Sequence, residues 1–299
     1  MSIYVNLEMR NNGSNLLQCS AEDVREPRVL AEPKLYQCAL DRFTIHKAWL
    51  PVFENSATLT VRVIKKSDGS IHPSNLSFAG LVDSNNLMWN HQYFLNALNA
   101  AIAAAGASAG VTNHPTMTMD ADWKATLDYS AEANFADLYY VEFNEPLYSI
   151  FHTFSYSDVV YEQEYFTLTL VNAGTKTATT AEAVELSPVS QIFVKSNKMP
   201  LVYELTPSFG SGTSRNSDSI ITDFEFGGLN RYPLQNINYT ATTGQYRFHS
   251  MRESSTFNTL DFQFYYKTYN NTEFPLYLLP SGSCNIKVLF KRINSPAVV

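Results

Sequence analysis

Charge is scarce in this chain. Only 16% of its 299 residues are Asp, Glu, Lys or Arg, against roughly 25% in an ordinary soluble domain. The 21 Lys and Arg form no run, and the net charge is −7. A basic groove for nucleic acid needs clustered cations, so a specific nucleic-acid partner is not expected. Cysteine is also sparse: Cys19, Cys38 and Cys284 are three in number and far apart. That is neither a disulfide framework nor a zinc pattern; it fits three reduced thiols in a cytosolic or nuclear setting. No apolar run approaches the roughly 20 residues of a membrane span. The first ten residues carry Glu8 and Arg10 and lack the apolar core of a signal peptide. The Asn-x-Ser/Thr triplets at Asn12, Asn75, Asn238 and Asn270 are therefore read as chance.

Catalytic and metal motifs are missing too. There is no His-Glu-x-x-His, and His46, His72, His91, His114, His152 and His249 are scattered without ligand spacing. No Gly-x-Ser-x-Gly elbow occurs. Gly210 to Ser214 is Gly-rich but lacks the lysine of a phosphate-binding loop, and reads as a flexible connection. The acid pairs Asp120/Asp122 and Glu162/Glu164 share the i, i+2 spacing that could put two carboxylates on one strand face, as glycoside hydrolysis requires. Both lie near turns, where acidic residues are ordinarily solvated. Trp89 and Trp123 could stack on sugars, although packing explains single aromatics better. No catalytic residue, metal ligand or cofactor site is assigned, and the chain is not read as an enzyme.

What is abundant is apolar and aromatic material: 45% hydrophobic and 13% aromatic, with 18 Tyr and 19 Phe. Such residues suit pleated, half-buried surfaces and subunit contacts. Period-2 alternation is the main pattern. From Thr259 to Lys267, Leu260, Phe262, Phe264 and Tyr266 share one face and Asp261, Gln263, Tyr265 and Lys267 the other, as a strand with one core face demands. Asn285 to Arg292 repeats it, preceded by a short strand at Phe274 to Leu279 and a turn at Pro280 to Ser283. Leu35 to Val52 reads as a long strand bent near Arg42 and closed by Pro51, and Ala57 to Ile64 follows with Leu59, Val61 and Val63 on one face. Further strands are expected at Thr126–Tyr129, Leu138–Phe143, Tyr165–Val171, Gln191–Lys195, Val202–Leu205, Ile220–Phe226 and Gln245–His249. No internal repeat is visible.

One segment has a different period. Between Asn90 and Ala105, Phe94, Leu95, Leu98 and Ile102 fall on one helical face, with Asn90 as N-cap and Gly106 as stop. The expectation is an all-β, antiparallel jelly-roll β-sandwich with one inserted amphipathic helix at about 90–105. It is read as a single domain over 1–299, with a flexible loop at about 208–219, a low-complexity connection at Thr175–Ala183 and a C-terminal tail at 294–299. Arg247, Arg252 and Glu253 stand out in a strand-turn-strand region. They suit either an ion pair trimming a strand end or, since the Arg fork matches a carboxylate, pairing across a subunit interface.

Gln191–Pro200, Ile220–Glu225 (containing Thr222-Asp223-Phe224), Gly244–Phe248, Thr259–Tyr266, Pro275–Leu278, Pro280–Gly282 and Ile286–Arg292 form an ordered series of blocks. That series is similar to the penton, or minor capsid, proteins of virophages and polinton-like viruses. The Phe94–Ile102 helix and Lys124–Asp128 match that family's middle. The resemblance implies a jelly roll of two antiparallel sheets. It also implies a homopentamer at the fivefold vertices of an icosahedral DNA virus, set among trimers of a double jelly-roll major capsid protein. The protein would then reside in the virion, assembled in the host cytoplasm or nucleus. The family has no catalytic residue to carry over. No Arg-Gly-Asp triplet occurs and the length is read as leaving no room for a large second domain, so attachment to a host surface is an open partner rather than an expected one. The residues leave other readings standing. One is a compact double jelly-roll major capsid protein forming trimers, although about a dozen strands fall short of the roughly sixteen required. Others are a carbohydrate-binding or spike β-sandwich, and a β-sandwich hydrolase.

Overall fold

In the computed structural model the described residues are 2–26, 29–120, 124–160, 164–170, 175–177, 187–202, 220–225, 236–241, 246–252 and 257–293. They form two compact units, Met1–Leu50 with Val189–Val299, and Pro51–Pro188. The sequence reads as a single domain over 1–299, and the contacts group its residues into these two units. Nothing in composition changes at Leu50 or Val189, because both units are built from the same Tyr-, Phe- and Val-rich strands. The sequence therefore reads as continuous.

The first unit is a jelly roll. Its main strands are β1 (Ser2–Arg10), β2 (Ser20–Val24), β3 (Tyr36–Trp49), β4 (Val189–Lys195), β5 (Ile220–Glu225), β6 (Asn236–Thr240), β7 (Thr259–Thr268) and β8 (Tyr277–Arg292). One sheet runs β1-β8-β3-β6, with the short strands Leu17–Gln18 and His249–Ser250 at its margins. The other runs β5-β4-β7, with β2 on the far side of β7 along Thr259–Gln263 and Glu273–Pro275 beside it along Tyr265–Lys267. All these pairings are antiparallel. Apart from the β4–β5 hairpin, strands neighbouring in sequence thus sit in opposite sheets, the interleaving of a jelly roll.

The alternation read from Thr259 onward sets the core. Leu260, Phe262, Phe264 and Tyr266 are buried, as are Ile286, Val288 and Phe290. Phe43 on β3 meets Phe264 on β7 at 5.1 Å, Phe224 on β5 at 5.2 Å and Tyr239 on β6 at 5.3 Å between ring centroids. Each such side chain stabilises the fold by about 2 kcal/mol through burial, and edge-to-face and offset ring pairs add to it. The expected bend in β3 is a bulge. Arg42 faces Lys287 while Leu40 faces Val288, leaving Asp41 as the extra residue.

The second unit has its own core. A five-stranded sheet runs Tyr156–Val160, Tyr165–Leu168, Tyr139–Asn144, Thr60–Lys65, Ile71–Asn75, and a three-stranded sheet runs Thr175–Thr177, Ala125–Asp128, Thr116–Met119. The helix His91–Ser108 packs on the five-stranded sheet through Phe94, Leu98 and Ile102, all fully buried. Asn90 Oδ1 accepts from the Gln92 N–H at 2.9 Å, the expected N-cap. The stop is not Gly106, which lies inside the helix. Gly110, at φ 83°, ends it instead. Gly106 has a packing reason: a Cβ there would meet His114 Nδ1 at 2.9 Å.

The expected loop at 208–219, the tail at 294–299 and residues 178–183 of the Thr175–Ala183 connection lie outside the described residues. Thr175–Thr177 is a strand, and Val202–Leu205 is described only to Val202, next to an isolated bridge between Leu201 and Met251.

Candidate assembly surface

The outer face of the β1-β8-β3-β6 sheet is polar because its strands alternate. Asn6 and Glu8 on β1, Asn285 and Lys287 on β8, Arg42, Thr44 and His46 on β3, and Asn238 and Thr240 on β6 turn outward. They line a shallow depression of about 710 Å³. Asp41, freed from the regular alternation by the bulge, accepts from the Tyr246 hydroxyl at 2.8 Å and lies 3.4 Å from Lys287 Nζ. Lys287 Nζ also stands 4.4 Å over the Tyr4 ring. The hydrogen bond to Asp41 raises the Tyr246 hydroxyl above its ordinary pKa.

One margin of the sandwich is closed by the chain's own groups. Arg247 pairs with Asp223 on β5, and Gln191 Nε2 donates to the other oxygen of Asp223 at 2.6 Å. His249 Nε2 lies 2.6 Å from the Ile221 carbonyl. Arg247 thus has its carboxylate partner within its own chain. Arg252 is exposed, with its backbone N–H donating to the Pro200 carbonyl at 2.6 Å. Glu253 lies outside the described residues.

The outer face of the other sheet is organised around Lys195. Its ammonium lies 2.6 Å from Glu273 Oε1 and 5.0 Å and 4.9 Å from the Phe193 and Tyr265 rings, which stack at 5.8 Å. Asp261 also sits on this face, yet it is buried. It accepts from Ser196 Oγ at 2.5 Å and from the N–H groups of Asn197 and Lys198 at 2.8 and 2.9 Å. Sequence reading placed Asp261 on the wet face; the turn after β4 folds over it, and no local pattern signals that.

Among the described residues the remaining candidates do not converge. Asp120 accepts from the Lys124 N–H at 2.9 Å as a turn residue, whereas Asp122, Trp123 and Glu162 lie outside the described residues and Glu164 takes a left-handed φ of 54°. The Gly210–Ser214 connection also falls outside them. Trp89 Nε1 donates to Asp83 at 3.0 Å. His46 lies 3.2 Å from Asn236, His72 3.0 Å from Ser108 and His152 3.3 Å from the Ser149 carbonyl. Burial pushes His91 down to about 4. Among the described residues no three potential metal ligands group together. The three cysteines are free and buried, and desolvation pushes the Cys19 and Cys38 thiols up, with Cys284 adding to the effect at Cys19. Sequence reading missed Glu142, a carboxylate 3% exposed that accepts from Thr167 Oγ1 at 2.9 Å and lies 3.7 Å from Arg62.

Comparison with known proteins fits this architecture. Residues 178–292, which contain β4 to β8, match the family model of the Sputnik minor capsid protein V18/19. The crystal structure of the mavirus penton protein superposes with a TM-score of 0.82 at 23% identity, covering 98% of this chain and 100% of that one. A chain from the cryo-EM structure of the Sputnik virophage superposes with a TM-score of 0.74 at 15% identity, covering 97% and 98%. No curated protein sequence matches.

Proposed function

We infer that this chain belongs with the virophage minor capsid proteins and is a structural penton protein, a component of the virion shell. The observation that carries the reading is the coincidence of the family match with the jelly-roll half of the fold, where β4 to β8 supply both sheets. The finer reading is a homopentamer at the fivefold vertices, seated among trimers of a double jelly-roll major capsid protein. A closed ring needs a heterologous contact whose rotation closes. The low charge and many tyrosines suit such contacts. Arg247, Arg252 and Glu253 are taken as part of a subunit seam, with Arg247 also paired to Asp223 within the chain.

The test is the native mass of the purified chain across concentration and salt. Five copies of the 33.7 kDa chain weigh about 168 kDa, the expected result. Three copies, about 101 kDa, would move the assignment to a major capsid protein. A monomer at every concentration, with retained glycan binding, would favour a carbohydrate-binding spike module. At the seam, Arg252→Glu is expected to shift the ring toward smaller species at low concentration.

A further inference from the structure

The two margins of the jelly roll are unlike. On the side of β5 and β6, the Arg247–Asp223 pair and the His249–Ile221 contact tie the sheets together. On the opposite side, β1 is the edge of one sheet and β2 the edge of the other. Among the described residues β1 pairs only with β8, and β2 only with β7. Between them lies a groove of about 440 Å³ lined by Asn6 to Met9 and Ser20 to Asp23.

Hydrogen-bond phase shows which backbone groups face the groove. The Asn11 N–H donates to the Gly282 carbonyl at 2.8 Å, in register with the β1·β8 ladder. Alternate residues of an antiparallel strand bond to the same neighbour, so Leu7 and Val5 bond to β8 while Tyr4, Asn6 and Glu8 turn N–H and C=O outward. On β2, the Arg25 N–H donates to the Asn258 carbonyl at 2.8 Å, and the Phe264 N–H donates to the Cys19 carbonyl at 3.0 Å. Residues 21 and 23 therefore face β7, and Ser20, Glu22 and Val24 face outward. Long open edges are normally blunted by proline, bulges or lysine. The edge strand Ile71–Asn75 of the second unit carries Pro73, whereas β1 runs nine residues with no proline and an unbroken register.

Charge identifies the occupant. The groove lining contains Glu8, Glu22 and Asp23 and no cation. Their partners Arg10, Lys198 and Arg25 approach from outside the lining at 2.5, 2.6 and 2.6 Å, the first two in exposed pairs and the third in a half-buried one. Exposed pairs are weak and exchangeable. Tyr4, 52% exposed, and Val24, 60% exposed, stand along the same two edges as apolar anchors. We propose that the β1/β2 margin is a strand-acceptor groove, which takes an extended segment with basic residues at alternate positions from another protein chain by adding it to the β1 edge.

The test uses the full chain and a fluorescent nine-residue peptide alternating Lys with Thr and Val, beside the same peptide with Glu for Lys. The basic peptide should bind at least tenfold tighter than the acidic one, with affinity falling as salt rises. In amide-exchange spectra the Tyr4, Asn6 and Glu8 N–H groups should gain protection on binding, while those of Val5 and Leu7, already paired, should not change. Asn6→Pro removes an outward N–H at a position that leaves the β8 ladder intact; it should weaken binding at least tenfold with the melting temperature unchanged. Glu8→Gln with Glu22→Gln should weaken it about threefold and flatten the salt dependence. Absence of binding at millimolar peptide would overturn the proposal. So would equal binding to the Asn6→Pro variant or uniform protection of odd and even residues. A change of native mass in Asn6→Pro would also overturn it, by assigning the edge to contacts between copies.

Discussion

Two residues show how burial turns polar side chains into structural parts. Asp261 is 4% exposed and accepts three hydrogen bonds across the turn that follows β4. Bonds to an ionised acceptor contribute about 1.5–3 kcal/mol each, and removing the acceptor leaves the fully buried Ser196 hydroxyl without it. Asp261→Ala is therefore expected to cost about 3 kcal/mol, read as a fall in the midpoint of urea unfolding, with Asp261→Asn losing less because it keeps an acceptor oxygen. His91 gives a pH dependence. It sits at the start of the helix, where the positive end of the dipole also opposes protonation, and burial lowers it from 6.5 to about 4. The unfolded chain takes up the proton first on acidification. Stability from this group is therefore whole above pH 6.5 and is lost as the pH falls toward 4, by at most about 3 kcal/mol. Unfolding midpoints measured from pH 7 to pH 4 should decline less steeply in His91→Gln than in the parent.

At the scale of elements, β8 shows what a sequence conceals. Phe274–Leu279 and Asn285–Arg292 read as two strands around a turn at Pro280–Ser283, but one continuous strand runs Tyr277–Arg292. Its pairing with β3 jumps between Leu278 and Ser283. Gly282 permits the jump: a Cβ there would lie 2.8 Å from the Leu279 carbonyl and 3.0 Å from that of His46. Gly282→Ala must push β8 off β3 at this point. The expected result is a loss of about 1–3 kcal/mol, with faster amide exchange confined to residues near 278–283. The strands read correctly are those whose alternation is strong, such as Thr259–Thr268, and the helix was legible because its apolar face has a single period. β1, β2 and β6 were not read as strands. Ser20–Val24 and Asn236–Thr240 are short and polar, and they become strands through their partners β7 and β3 rather than through propensity. Of the expected Gln245–His249 strand, residues 246–249 are described, and the observed strand is His249–Ser250, paired with β3. Arg247 was visible as a candidate cation, but its partner Asp223 lies 24 residues away, a pairing that only the sheet topology creates.

For the whole molecule, the division into two units makes a prediction about folding and assembly together. Pro51–Pro188 is inserted between β3 and β4 and has an internal core from Phe94, Leu98 and Ile102 to Phe143, Phe151 and Phe154. The jelly roll closes its own core around Phe43, Phe262, Phe264 and Phe290. A unit with its own core and its own complete sheets can fold alone. Replacing Pro51–Pro188 by a flexible linker of about ten Gly and Ser residues, which spans roughly 17 Å, should therefore leave a chain that unfolds in one cooperative transition and keeps its β-sheet circular dichroism. If the shell contacts lie in the jelly roll, that shortened chain should also retain the stoichiometry of the full-length assembly by native mass. If the full-length chain is the proposed ring, a folded but monomeric product would place its contacts in the inserted unit instead. An aggregated product would show that the jelly-roll core does not suffice without the inserted unit.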